Sequence, residues 1–166
     1  PSRQKAADEL RRAFARLPPN VFVVPPESRL STYALLSRAN AALIYGTKTG
    51  VELAAMGVPV IVAGEAWVRG KGFTHDARTP EEYFGLLDAL PFKAPMPARE
   101  VERARKYAYH FFFRRMVPVD CMEPTGGDPP YRARVEGLDD LRPGRMAGLD
   151  VILDGILSGS PFVYPA

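Results

Sequence analysis

AALIYGTKTGVELAAMGVPVIVAG, running from Ala41 to Gly64, decides the fold. Ala41-Ala42-Leu43-Ile44-Tyr45 is a near-continuous apolar run, the pattern of a strand buried on both faces of a parallel sheet. Gly46-Thr47-Lys48-Thr49-Gly50 is a loop with one long side chain, that of Lys48. Val51-Glu52-Leu53-Ala54-Ala55-Met56 reads as a short helix, closed by Gly57 at the position where a left-handed backbone costs glycine least. Val58-Pro59-Val60-Ile61-Val62-Ala63 is a second buried strand, closed by Gly64. Strand, loop, helix and strand in this order make the two strands parallel neighbours through a right-handed crossover.

The loop leaves the carboxyl end of a strand and opens a helix, which is where open α/β sheets bind ligands. Backbone N–H groups and the helix dipole favour an anion there. Thr47 and Thr49 add hydroxyls, Lys48 adds charge, and Gly46 and Gly50 allow close approach. Thr49 also reads as an N-cap and Gly50 as a turn residue. Glu52 gains dipole stabilisation in the first turn, and it can reach a ribose hydroxyl beside a phosphate seated on the helix end.

The 166 residues, 46% hydrophobic and 25% charged, suit one globular domain with an appendage. No apolar run reaches the roughly 20 residues that span a bilayer. Charge is +3, from 22 basic and 19 acidic residues scattered along the chain, so no basic stripe points to nucleic acid. The single cysteine, Cys121, suits a reducing cytoplasm. With His75 and His110 far apart, no zinc site is expected, and Asp120 and Glu123 beside the lone Cys121 make no metal site.

Before the central unit, Arg3–Leu17 reads as an amphipathic helix already under way, so the chain is expected to be the C-terminal piece of a larger protein. Its charges, Arg3 and Lys5 among them, form a solvated face. Val21-Phe22-Val23-Val24 reads as a buried strand between prolines. Ser31 or Thr32 caps a short helix through Ala39; Ser31 and Tyr33 are also candidates for base recognition, against capping for Ser31 and core packing for Tyr33.

After Gly64, an irregular loop runs from Glu65 to Arg78; Arg69, Lys71 and His75 could meet phosphate or an acidic sugar, or simply face solvent. Thr79-Pro80-Glu81-Glu82 starts a helix to Leu90 that buries Tyr83, Phe84, Leu87 and Leu90. Pro91 to Pro97 is a linker. A long helix from Ala98 to about Met116 carries the stripe Val101, Ala104, Ala108, Phe111 and Phe112, with Phe111-Phe112-Phe113 ahead of Arg114-Arg115. That cluster calls for a partner, either a missing domain or an anionic membrane surface. Pro118 to Gly144 reads as an extended loop, and Met146 to Leu157 as a final helix.

Asn20–Leu90 resembles the C-terminal lobe of GT-B glycosyltransferases, in particular the capsule polysaccharide biosynthesis group. The resemblance rests on Ser31-Thr32-Tyr33, on Gly46 to Ile61, on Gly64-Glu65-Ala66, on Gly70-Lys71-Gly72-Phe73-Thr74 and on Thr79-Pro80-Glu81-Glu82-Tyr83. It implies a Rossmann-like parallel sheet flanked by helices over residues 1–95. Residues 96–166 would be a helical extension packing on a missing N-terminal lobe. It further implies a nucleotide-sugar donor and a saccharide or lipid-linked saccharide acceptor, with no separate cofactor. The enzyme would work in the cytoplasm, with a peripheral membrane contact at most. By position, Thr47, Thr49 and Gly50 would face the phosphate and Glu52 the ribose or sugar hydroxyls, with Gly64 and Glu65 nearby. Lys48 stands where relatives carry a small residue. The catalytic base would belong to the absent lobe. A sugar-nucleotide epimerase lobe and a non-catalytic scaffolding lobe are the alternatives.

Overall fold

The unit between Ala41 and Gly64 takes the strand, loop, helix and strand order that its pattern predicts. In the computed structural model, which describes residues 6–165, β1 (Ala42–Ile44) and β2 (Val60–Val62) pair in parallel, with Ala42 opposite Val60 and Ile44 opposite Val62. Between them lies α3 (Thr49–Ala55). It ends in a Schellman arrangement: the Val58 N–H donates to the Leu53 carbonyl and the Gly57 N–H to that of Ala54, both at 3.0 Å. Gly57 takes φ +88°, a region that a side chain would make costly. Every residue of β2 is fully buried, as expected of a central strand.

β1 departs from the expectation. Ala42 and Ile44 are buried, but Leu43 is 50% exposed. β1 is an edge strand and α3 covers the face that carries Ile44, so the residue between points away. A third strand, β3 (His75–Asp76), pairs in parallel with β2 inside the stretch expected to be irregular. The sheet order is β1-β2-β3.

The chain divides into two compact units, Pro1–Arg38 and Ala39–Ala166. In the first, α1 (Ala6–Ala13) ends before the expected Leu17 and carries exposed Arg11–Asp8 and Arg12–Glu9 pairs. Arg3 and Lys5 lie outside the described residues. Val21–Val24 is not a strand: it pairs with no other strand among the described residues and is exposed, Phe22 at 85%. An apolar run becomes a strand only where a neighbour takes its N–H and C=O groups. α2 (Thr32–Leu36) is capped by Ser31, whose hydroxyl accepts from the Ala34 N–H.

In the second unit, α4 (Pro80–Asp88) starts as its sequence dictates. The Thr79 hydroxyl accepts from the Glu82 N–H at 3.2 Å, and the Glu82 carboxylate accepts from the Arg78 N–H at 2.7 Å. Its apolar residues are not buried as expected, and Phe84 and Leu90 are exposed. α4 stands off the sheet across a groove bordered by Ala63, Ala77, Tyr83 and Phe84.

α5 (Ala98–Tyr109) continues into a π-type turn, His110–Arg114, and packs against α3. Ala104 is fully buried at the centre of the predicted stripe. Its aromatic end closes over this unit's own core. Phe111 stacks on Trp67 at 4.1 Å, Phe112 meets Phe111 edge to face, and the Tyr107 hydroxyl donates to the Trp67 carbonyl at 3.2 Å. Burial pushes the Tyr107 phenol above its usual range. Phe113 instead is 64% exposed, touching Tyr109. Phe112→Ser should therefore lower the unfolding midpoint, by about 1–2 kcal/mol for a half-buried ring. Phe113→Ser should change stability by less than about 0.5 kcal/mol. Equal effects in chemical denaturation would refute that division.

The segment expected to be an extended loop holds a hairpin, β4 (Met122–Pro124) with β5 (Tyr131–Ala133), antiparallel. Glu123 accepts from Arg132 and Arg134 across it, and these bonds, Arg132 first, hold its carboxyl below the ordinary range. α6 (Ala147–Ser158) ends at Gly159 in the left-handed region. It packs so tightly at Gly148 that an added Cβ would overlap the Pro118 carbonyl. The described residues form a mixed α/β structure with six α-helices and a small three-stranded parallel sheet. None of these helices is long and apolar enough to cross a membrane.

Candidate functional site

Three parallel strands ending on one edge leave three connections there, and a cleft of about 470 Å³ opens among them. The size falls within that of small-molecule sites. Its lining follows the strand ends: Tyr45 after β1; Ala63, Gly64 and Glu65 after β2; Ala77 and Arg78 after β3. The Tyr45 ring lies across Gly64, and a Cβ there would come within 2.6 Å of the ring unless the ring moved.

Arg69 shapes the cleft from behind. Its Nε donates to the Gly64 carbonyl at 3.1 Å. Its Nη2 donates to Gly64 at 2.8 Å and Val62 at 3.1 Å, and its Nη1 to Ala77 at 2.7 Å. One guanidinium thus ties the end of β2 to the end of β3. Asp76 is similarly engaged, accepting from the Gly70 N–H at 2.6 Å and the Thr74 hydroxyl at 2.7 Å. These bonds hold the loop between β2 and β3 in place. His75, considered from sequence as a phosphate contact, stacks on Phe92 at 4.6 Å. Lys71 lies 5.9 Å from the centre of the Tyr107 ring.

The candidate residues fall into three places. Gly64 and Glu65 line the cleft, and Glu65 is exposed. Thr47, Lys48, Thr49, Gly50 and Glu52 form the neighbouring loop and first turn of α3, beside the cleft, where a Cβ built on Gly46 would come within 3.4 Å of the Glu65 carbonyl. Ser31 belongs to the first unit, where it caps α2. In the loop, Thr49 is not the N-cap. It is the first helical residue, and the Thr47 hydroxyl accepts from its N–H at 3.4 Å. Gly50 is buried, and a Cβ on it would run into the Ile44 side chain, so the glycine lets helix approach strand. Lys48 pairs with Glu52 at 3.5 Å, one helical turn apart, and sits 5.9 Å from the Phe112 ring centre. The i,i+4 spacing was the sequence signal for that pair.

Arg78 is the cleft residue that sequence reading passed over. It directly precedes the Thr79-Pro80 helix start, and recognising β3 would have placed it at a strand end. No three metal-ligating side chains converge among the described residues. Compared with family models, with curated proteins and with solved structures, the chain finds no match in any of the three.

Proposed function

We propose that this chain is the donor-binding lobe of a glycosyltransferase of the GT-B, capsule-polysaccharide kind, with β1-α3-β2-β3 as the Rossmann-like part of its sheet. The observation that carries the reading is the cleft at the carboxyl ends of three parallel strands, the edge on which open α/β sheets hold their ligands. The residues bordering it suit a nucleotide-sugar. Arg78 supplies a cation and Glu65 an acceptor for hydroxyls, while the Tyr45 ring offers a flat apolar surface. In transfer, a leaving nucleoside phosphate gathers negative charge, and the Arg78 guanidinium beside it would lower the barrier without a proton transfer. The acceptor saccharide and the base that activates it would come from a second lobe. The enzyme would act in the cytoplasm, where nucleotide-sugars are made.

The test is a thermal-shift screen of the chain against UDP, CMP, GDP, dTDP and their sugar conjugates. A ligand at about 100 times its Kd stabilises by about 2.7 kcal/mol, so the matching nucleotide should raise Tm by roughly 5–10 °C. Stabilisation by one base alone would name the donor class. No shift with any nucleotide would count against a donor lobe and in favour of scaffolding.

A further inference from the structure

The charges around the cleft decide which side chain meets an anionic ligand. Four border it: Glu65, Arg69, Asp76 and Arg78. Arg69 is committed to three backbone carbonyls, and Asp76 to the Gly70 N–H and the Thr74 hydroxyl. The remaining two, the Arg78 guanidinium and the Glu65 carboxylate, have no hydrogen-bond or ion-pair partner among the described residues.

The carboxyl edge of a parallel sheet is a rim of carbonyl oxygens, which repels anions. Here Arg69 covers the Val62, Gly64 and Ala77 carbonyls, so its charge neutralises the rim. Arg78 follows Ala77 directly, which puts an uncommitted fork of donors on the neutralised side.

The competing seat for an anion is the Thr47 loop, where the N–H groups at the start of α3 are already engaged within the loop. The Thr49 N–H goes to the Thr47 hydroxyl, that of Gly50 to the Thr47 carbonyl, and that of Val51 to the Lys48 carbonyl. The two threonine hydroxyls lie 3.3 Å apart and bond each other, and Lys48 pairs with Glu52.

We propose that Arg78 holds the phosphate of the ligand at the junction of β3 and α4, and that Glu65 accepts from hydroxyls of the sugar joined to that phosphate. The proposal deepens the donor-lobe reading and rests on it for the sugar; the anion contact stands on the cleft alone.

Calorimetry of the chain separates the two. The probes are UDP, CMP, the matching nucleosides, one UDP-sugar and pyrophosphate, each with wild type, Arg78→Ala, Arg78→Lys, Lys48→Ala and Glu65→Gln. Loss of a charge-assisted hydrogen bond should weaken nucleotide binding by Arg78→Ala on the order of ten- to a hundredfold. Nucleoside binding should change by less than about twofold, and Lys48→Ala should leave both as in wild type. Arg78→Lys should recover part of the loss, because it keeps the charge without the fork. Glu65→Gln should weaken the sugar conjugate more than the bare nucleotide.

Nucleotide binding that survives Arg78→Ala but is lost in Lys48→Ala would overturn the proposal and leave the donor lobe standing. Equal nucleotide binding in wild type and all variants would overturn it as well. Pyrophosphate bound through Arg78, with no nucleotide bound, would keep the anion site and remove the donor reading. A wild-type chain that binds none of the probes overturns both. Arg78 is exposed, and matched denaturation midpoints would establish that its variants are folded.

Discussion

Replacing Phe73 by alanine is expected to destabilise the second unit by about 3–5 kcal/mol, the largest single effect the structure implies. Phe73 is 2% exposed and the bulkiest of the fully buried side chains. It packs tilted against the Tyr107 ring at 5.5 Å, and Tyr107 in turn lies beside Trp67, which stacks on Phe111. The backbone on either side is fixed, because Arg103 donates to the Gly72 carbonyl at 3.0 Å and Thr74 to Asp76. Such a site cannot collapse around a missing ring, so the cavity contributes in full. Urea titration followed by circular dichroism measures the midpoint. A shift no larger than that of Phe84→Ala, where the ring is 60% exposed, would place Phe73 outside the core.

Arg69→Ala should follow, at about 3 kcal/mol. Hydrogen bonds to charged groups contribute about 1.5–3 kcal/mol each, partly shared where one guanidinium serves several acceptors. The loss leaves the Gly64 carbonyl without its donor and unties β2 from β3. Lysine cannot reach carbonyls on three residues with one ammonium group, so Arg69→Lys should recover less than half. A midpoint unchanged in Arg69→Ala would mean that the carbonyls find water at no cost, and that the clamp is incidental. Because Arg69 lies behind the cleft, its removal should also weaken any ligand there.

Legibility in the sequence followed the local signals. β1, α3 and β2 were readable because each boundary is marked within a few residues: two β-branched or aliphatic runs, a small-residue loop, and Gly57 at a Schellman stop. The start of α4 was readable for the same reason, with Thr79, Pro80 and Glu82 in the expected places. Val21–Val24 has the composition of a strand and is none, since composition cannot supply a pairing partner. β3 is the converse: His75 and Asp76 show no apolar run, and only the ladder to Ile61 and Val62 makes them a strand. Likewise β4 and β5 are too short to show alternation, and Pro124 argues against one of them. At the site, Gly64 and Glu65 were legible because they follow a recognisable strand. The Arg69 clamp was not, because its acceptors on residues 62, 64 and 77 come together only through the fold. Arg78 was hidden behind the strand that went unread.

The β4–β5 hairpin offers a practical consequence. Its connection carries Gly126 and Gly127, and a Cβ built on either meets nothing within 4 Å. Gly127, unlike Gly126, needs no positive φ. A cysteine introduced there, with Cys121 replaced, would give a single thiol on an exposed tip. Fluorophores or spin labels attached at that point report from outside the sheet and the cleft, leaving both as nature built them.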